Sequence, residues 1–237
     1  MRTKLKIVFF LKPDAVIRRY VGARVLKTLL EGIESIKLLT FEKILVDKSF
    51  LADLHYSEHK GKFFFDWLVD YTAVAPIYFI MIEGNEEHVE KIRTLLGPTI
   101  VQKAIVEAPA TIRARYGIYG GVNVAHASDS VSSAIRESNI WESYLRDKLG
   151  LMIGETEEVI RRIENYIDSY IDYPIIDNRR YIELSKRLSN HPEEKESIRQ
   201  KFIELLSKET DQEFLQGHPN KVEEFAEILV RNALLRK

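Results

Sequence analysis

Three observations predict an α/β core carrying an all-α C-terminal extension. Short β-branched and aromatic runs alternate with amphipathic helical stripes as far as Trp141, strand signals then stop, and the rest of the chain has helical periodicity alone. The division is expected between residues 1–144 and 145–237. A chain of 237 residues can bury a full core and still carry such an appendage.

Leu5 to Leu11 is an apolar run of strand length, so both of its faces should be covered. Pro13 stops it and leaves Lys12 at the strand end. Val21, Val25, Leu29 and Leu30 recur at helical spacing before Gly32. Ile36 to Val46 reads as a second strand, Asp47 to Tyr56 as a helix, and the aromatic stretch Lys62 to Val69 as another. Ala75 to Gly84 reads as a third strand, and Asn85 should cap a helix that runs to Gly97. Residues 97–112, bounded by Gly97-Pro98 and Pro109, read as a long connection. Tyr116 to His126 contains a glycine pair, and Ser128 or Ser130 should cap a helix reaching Trp141.

In the extension, Thr156 to Ile171 forms one helical stripe that Tyr173-Pro174 ends. Asp177 opens a helix with Tyr181, Leu184 and Leu188 inward, and His191-Pro192 and His218-Pro219 each restart a helix. Ile198, Phe202 and Leu205 continue one stripe; Val222, Phe225, Ile228 and Leu229 continue another.

The 35 basic and 36 acidic residues are evenly spread, 19 and 17 in residues 1–144 against 16 and 19 in 145–237. Neither part has the one-sided charge of a protein that binds nucleic acid or a membrane surface, so neither partner is expected. Absence of cysteine removes disulfides, thiolate chemistry and zinc-cysteine sites, which fits a reducing compartment. The apolar run after Met1 to Lys4 is too short for a signal segment or a membrane span, so a soluble, cytoplasmic protein is expected.

His126, set among small and polar residues from Asn123 to Ser130, is the natural chemical centre. Imidazole is a nucleophile that is largely neutral at pH 7, and phosphoryl transfer needs one together with cations to hold the phosphate oxygens. Lys12, Arg93 and Arg113 are the candidate cations. No Walker A loop, dinucleotide-binding fingerprint or protein-kinase glycine loop is present. A competing pattern is His55-Tyr56-Ser57-Glu58-His59, which matches the H-x-x-E-H spacing of zinc peptidases. Gly61 breaks the helix such a site needs, so an exposed polar helix end is the preferred reading there.

Residues 4–141 resemble nucleoside diphosphate kinase. The resemblance is carried by Lys12-Pro13-Asp14-Ala15-Val16, Arg18, Val21, Gly22, His55-Tyr56, Phe64-Phe65, Leu68-Val69, Tyr71, Pro76 and Glu83-Gly84. It continues through Arg93, Leu96-Gly97, Thr99, Pro109, Thr111-Ile112-Arg113, Asn123, His126, Ser128-Asp129-Ser130, Ala134 and Glu137. It implies a ferredoxin-like sandwich with a four-stranded antiparallel sheet, and a ping-pong reaction in which His126 carries the γ-phosphoryl group between nucleoside tri- and diphosphates. Glu137 would bond the other ring nitrogen of His126. Lys12, Tyr56, Arg93, Thr99 and Arg113 would contact phosphates, and Lys12 and Asn123 would reach the ribose. Phe64 would stack on the base and Leu68 line its edge. Mg2+ would bridge the phosphates without a protein cluster of metal ligands. A homo-oligomer is implied, a hexamer or a smaller assembly if the loop 98–110 or the extension interferes. His59, His88, His191 and His218 match nothing functional and are expected at the surface.

The sequence also departs from that family's pattern. Ala15 and Ala127 replace usual glycines, which matters if the backbone there needs positive φ. Gly120 stands where an apolar residue usually closes the base slot, and Ile100 to Ala110 is about three residues longer than usual. The alternative function is a nucleotide-binding regulatory or scaffold protein on the same fold, acting through its helical extension.

Overall fold

The computed structural model describes residues 4–151, 154, 156–172, 177–210, 217 and 220–235. The expected helix stop at Tyr173-Pro174, the restart at His218-Pro219 and the surface placement of His218 lie outside those residues. Four strands, β1 (Leu5–Leu11), β2 (Lys37–Ile44), β3 (Ile77–Gly84) and β4 (Ala125–Ala127), form one sheet in the order β2-β3-β1-β4. Every pairing is antiparallel. This is the four-stranded sheet implied by the resemblance.

Side chains of β1 alternate between two apolar layers, as a strand covered on both faces must. Ile7, Phe9 and Leu11 point into one layer with α2 (Arg19–Gly32) and α5 (Glu86–Leu96), while Val8 and Phe10 point into another with Phe79, Met81 and Trp141. Central β1 is therefore the best buried element, and its pairing with β4 sets Phe10 opposite His126.

The helices refine the sequence expectations. Pro13 opens a short helix, α1 (Pro13–Ile17), in place of a simple turn. The helix expected over Asp47 to Tyr56 is α3 (Lys48–Phe50) running into a π-helical turn, Leu51–His55. The aromatic helix, α4, is Phe65–Ala73. Asn85 caps α5, and the His88 side chain returns a bond to the Asn85 backbone, so His88 is a capping residue. The long connection contains two helices, α6 (Val101–Glu107) and α7 (Ile112–Tyr116). Ser130 caps α8 (Val131–Leu149), which passes Trp141 and ends at left-handed Gly150.

Beyond α8 the elements of the described residues are all helices, chiefly α9 (Thr156–Tyr170), α10 (Arg179–Asn190), α11 (Lys195–Glu209) and α12 (Lys221–Leu234). They dock on the first 144 residues in two places. Val159, Ile163, Tyr166 and Ile167 of α9 join the layer containing α2 and β2. Gly22 permits this approach, because a Cβ there would lie 2.7 Å from Tyr166 Oη. Helices α10 to α12 build a further cluster on Ile17, Trp67, Tyr71, Ile118 and Val122. Among the described residues, no helix is long and apolar enough to cross a membrane.

Candidate active site

Strand β4 is only three residues long, and what precedes it fixes where His126 points. Val124 has φ 67°, a left-handed conformation that costs a β-branched residue about 1–3 kcal/mol. It is held there by two buried bonds: its N–H donates to Asp14 Oδ2 (3.1 Å), and its carbonyl accepts from Lys12 N (2.9 Å). Asp14 also accepts from Tyr71 Oη at 2.6 Å, so the start of α1 ties α4 to the entry of β4. Ala15 and Ala127 both lie outside the positive-φ region, so the alanines there carry no backbone strain.

The His126 ring stacks on Phe10 (4.7 Å between centroids, 19° between planes) and meets His55 edge-on at 4.8 Å. Its Nε2 lies 2.9 Å from Glu137 Oε2, which also accepts from Ser128 Oγ at 2.8 Å. Burial would raise the Glu137 carboxyl, but the charge and hydrogen bond of His126, the His55 ring and Ser128 outweigh it and hold the group down to about 2. A carboxylate only accepts, so Nε2 carries a proton, and it is in the neutral ring that the lone pair lies on Nδ1.

The cations are set around this ring by backbone geometry. Lys12 sits at the N-cap of α1 and donates from Nζ to Asn123 Oδ1 (2.8 Å), while Asn123 Nδ2 donates to Thr99 O (2.7 Å). Burial, then the neighbouring Arg113, lower Lys12 to about 7 despite Asp14. Arg113 on α7 donates to Gly97 O, Ala125 O and, at 3.5 Å, Thr99 Oγ1. Burial and Arg93 lower it to about 9, and its buried Nε has no partner among the described residues. Arg93 on α5 reaches Ala127 O at 3.4 Å. Two arginines and a lysine that is only partly protonated near neutral pH, crowded together with one donor unused, form a site that an incoming anion would satisfy.

All of the predicted residues, Lys12, Tyr56, Phe64, Leu68, Arg93, Thr99, Arg113, Asn123, His126 and Glu137, line one cavity of about 580 Å³. Tyr56 is buried and bonded to Thr72 Oγ1, with burial pushing its hydroxyl up. Phe64 and Leu68 are half-buried on and beside the start of α4.

Several site residues escaped the sequence reading. His55 is buried, not part of an exposed helix end: its Nδ1 accepts from Trp141 Nε1, its Nε2 is unpartnered, and burial holds it well below the usual imidazole range. His59, expected at the bland surface, lines the cavity rim. The backbone changes from π-helical to 3-10 between them, and His55, Glu58 and His59 do not converge as a metal cluster among the described residues. Arg136 pairs with Glu58 and Glu137, and nothing in the sequence but its position one residue before Glu137 pointed to it. Ser189, Asn232, Ala233 and Leu235 of the extension also line the cavity, with Asn232 against Gly120 and Gly121.

Comparisons with known proteins agree with this arrangement. The profile of the nucleoside diphosphate kinase family matches residues 6–144. The nucleoside diphosphate kinase of Chloroflexus aggregans is 40% identical over 136 residues, 57% of this chain and 85% of that one. That of Pyrococcus furiosus is 39% identical over 139 residues, covering 57% and 81%. Among solved structures, the nucleoside diphosphate kinase of Aquifex aeolicus superposes with a TM-score of 0.53 and 27% identity, over 59% of this chain and 95% of its own. The family match ends inside α8 and leaves α9 to α12 outside it. With its fold, its ordered motif residues and more than half its length matched, the chain belongs to the nucleoside diphosphate kinase family.

Proposed function

We propose that the protein transfers the γ-phosphoryl group of a nucleoside triphosphate to a nucleoside diphosphate through a phosphohistidine at His126. The observation that carries this is the bond from Nε2 of His126 to ionised Glu137, which leaves Nδ1 as the free nucleophile beside three cations.

In the first half-reaction the Nδ1 lone pair attacks the γ-phosphorus. A P–N bond forms, the bond to the β,γ-bridging oxygen breaks, and the electron pair leaves on the nucleoside diphosphate. In the second, a β-phosphate oxygen of another nucleoside diphosphate attacks the same phosphorus, the P–N bond breaks and His126 regains its lone pair. Lys12, Arg93 and Arg113 stabilise the charge on the transferring oxygens. Glu137 balances the cationic ring that forms as phosphate arrives. His55 stays neutral, so it adds no opposing charge 4.8 Å away.

Tyr56 and Thr99 contact phosphate oxygens, and Lys12 and Asn123 also reach the ribose. Phe64 stacks on the base and Leu68 lines its edge, an arrangement that accepts any base because each has a π face.

The metal is Mg2+, and the donors suit an ion held mainly by phosphate oxygens and water. Glu137 is engaged by His126 and Ser128, and Glu58 by Arg136; Asp129, which accepts from Ser133 Oγ and has no ion-pair partner among the described residues, would be the cavity carboxylate to support it. When bound, magnesium neutralises phosphate charge and aligns the polyphosphate.

Residues 1–144 form the catalytic unit and 145–237 the extension, in a cytoplasmic homo-oligomer. A hexamer, or a smaller assembly, would be measured by sedimentation equilibrium. The binding-only scaffold alternative has no observation in its favour, since every proposed catalytic group lines the cavity. Phosphoryl transfer from ATP to dTDP by the full chain tests the proposal: turnover is expected, and none would sink it.

A further inference from the structure

Gly120 makes the base end of the cavity look unfinished when the first 144 residues are taken alone. The last helix supplies what is missing. Asn232, on the C-terminal turn of α12 and 6% exposed, donates from Nδ2 to Tyr119 O (2.8 Å) and accepts from Gly121 N (3.3 Å). A Cβ at Gly120 would lie 2.9 Å from Asn232 Oδ1, and the residue has φ +55°. The glycine is therefore the position at which the helix end closes on the turn, and a larger side chain there would push it away. Trp67 Nε1 donates to Ile228 O at 3.1 Å, and Arg231 pairs with Asp70, so α12 is also tied to α4. Ala233 and Leu235 then line the cavity together with Phe64 and Leu68.

We propose that the C-terminal end of α12 is the base-end wall of the nucleotide pocket, supplied by the same chain. This rests on the nucleotide site argued above. Asn232 is a positioning residue that holds the 119–121 turn, and Leu235 with Ala233 is the apolar surface against which the base packs. Both ends of the Asn232 amide are engaged by backbone, so the wall offers apolar contact and leaves base edges unread by that amide. The ligand class it selects is any nucleotide with a planar base, over a ribose phosphate without one.

Calorimetric titration of the full chain with ADP and with ribose 5-diphosphate, both with Mg2+, separates base contacts from phosphate contacts. Leu235→Asp and Asn232→Ala should each weaken ADP by about tenfold, the scale of one buried apolar contact, and leave ribose 5-diphosphate within about twofold. Leu235→Ala, which keeps an apolar helix end, should show the same selectivity at smaller amplitude and serves if the aspartate variant loses its thermal transition. Unchanged ADP affinity in all variants, or equal weakening of both ligands, overturns the proposal. ADP binding by the parent protein without transfer to dTDP would remove the kinase reaction and keep the wall; no ADP binding would remove both.

Discussion

The His126 ring is fixed in plane by Phe10 and in tautomer by Glu137, and each constraint has a measurable consequence. Glu137→Gln keeps the shape but not the charge, and should lower kcat about 10- to 100-fold with little change in KM, the usual scale for a partner that orients a functional imidazole. The carboxyl is held near 2 against a reference of 4.5, so its contribution to stability is present above about pH 4.5 and is lost as pH falls towards 2. That contribution is on the order of 3 kcal/mol, so acid unfolding of Glu137→Gln should show a flatter pH dependence over that window. Lys12 is also lowered, but for an amine the lowering removes charge instead of keeping it. Its free-site value of about 7 means that above neutral pH the empty site must take up a proton to offer phosphate an ammonium. KM for nucleoside diphosphate should therefore rise between pH 7 and 9, by up to about tenfold per pH unit, and the rise should flatten in Lys12→Met, which has no ammonium to lose. A pH-independent KM in the parent protein would contradict this account of Lys12.

At the scale of elements, what the sequence revealed follows signal length. Strand β1 and helices α2, α5 and α9 have enough turns or alternations for their period to be plain, and they form as expected. Strand β4 has three residues, too few to alternate, and α6 has seven between two proline-bearing turns, so neither could be read as an element of its own. His55 was misjudged because a five-residue pattern cannot show that the π-helical turn rotates it beneath Trp141. The residues proposed to hold phosphate were legible because the family motifs keep them in order; the approach of α12 to the cavity was not, because the contact between Gly120 and Asn232 spans the chain. That contact predicts that Gly120→Ala lowers stability by about 1 kcal/mol or more, combining positive φ with a close approach. Trp67→Phe should cost about 1 kcal/mol for the lost bond to Ile228 O. Thermal melts of both variants check these values.

Across the whole molecule, the extension reads as part of the structure that surrounds the site. Helix α9 covers β2 and α2, Arg162 forms a paired bridge to Glu42 on β2, and α12 reaches the cavity. Residues 1–144 expressed alone should therefore expose the apolar faces of α2 and α4, with a lower melting temperature and binding of a hydrophobic dye. A truncated chain that melts with the parent would mean that the extension adds nothing to the stability of the core. All of this surrounds one claim, that Glu137 occupies Nε2 so that phosphate is carried on Nδ1 of His126. The most direct measurement is phosphorus NMR of the protein after incubation with ATP and Mg2+, with His126→Ala as control. The account predicts an acid-labile, base-stable phosphohistidine substituted at Nδ1, absent from the variant and discharged by dTDP; a phosphoryl group on Nε2, or one that persists in His126→Ala, would contradict it.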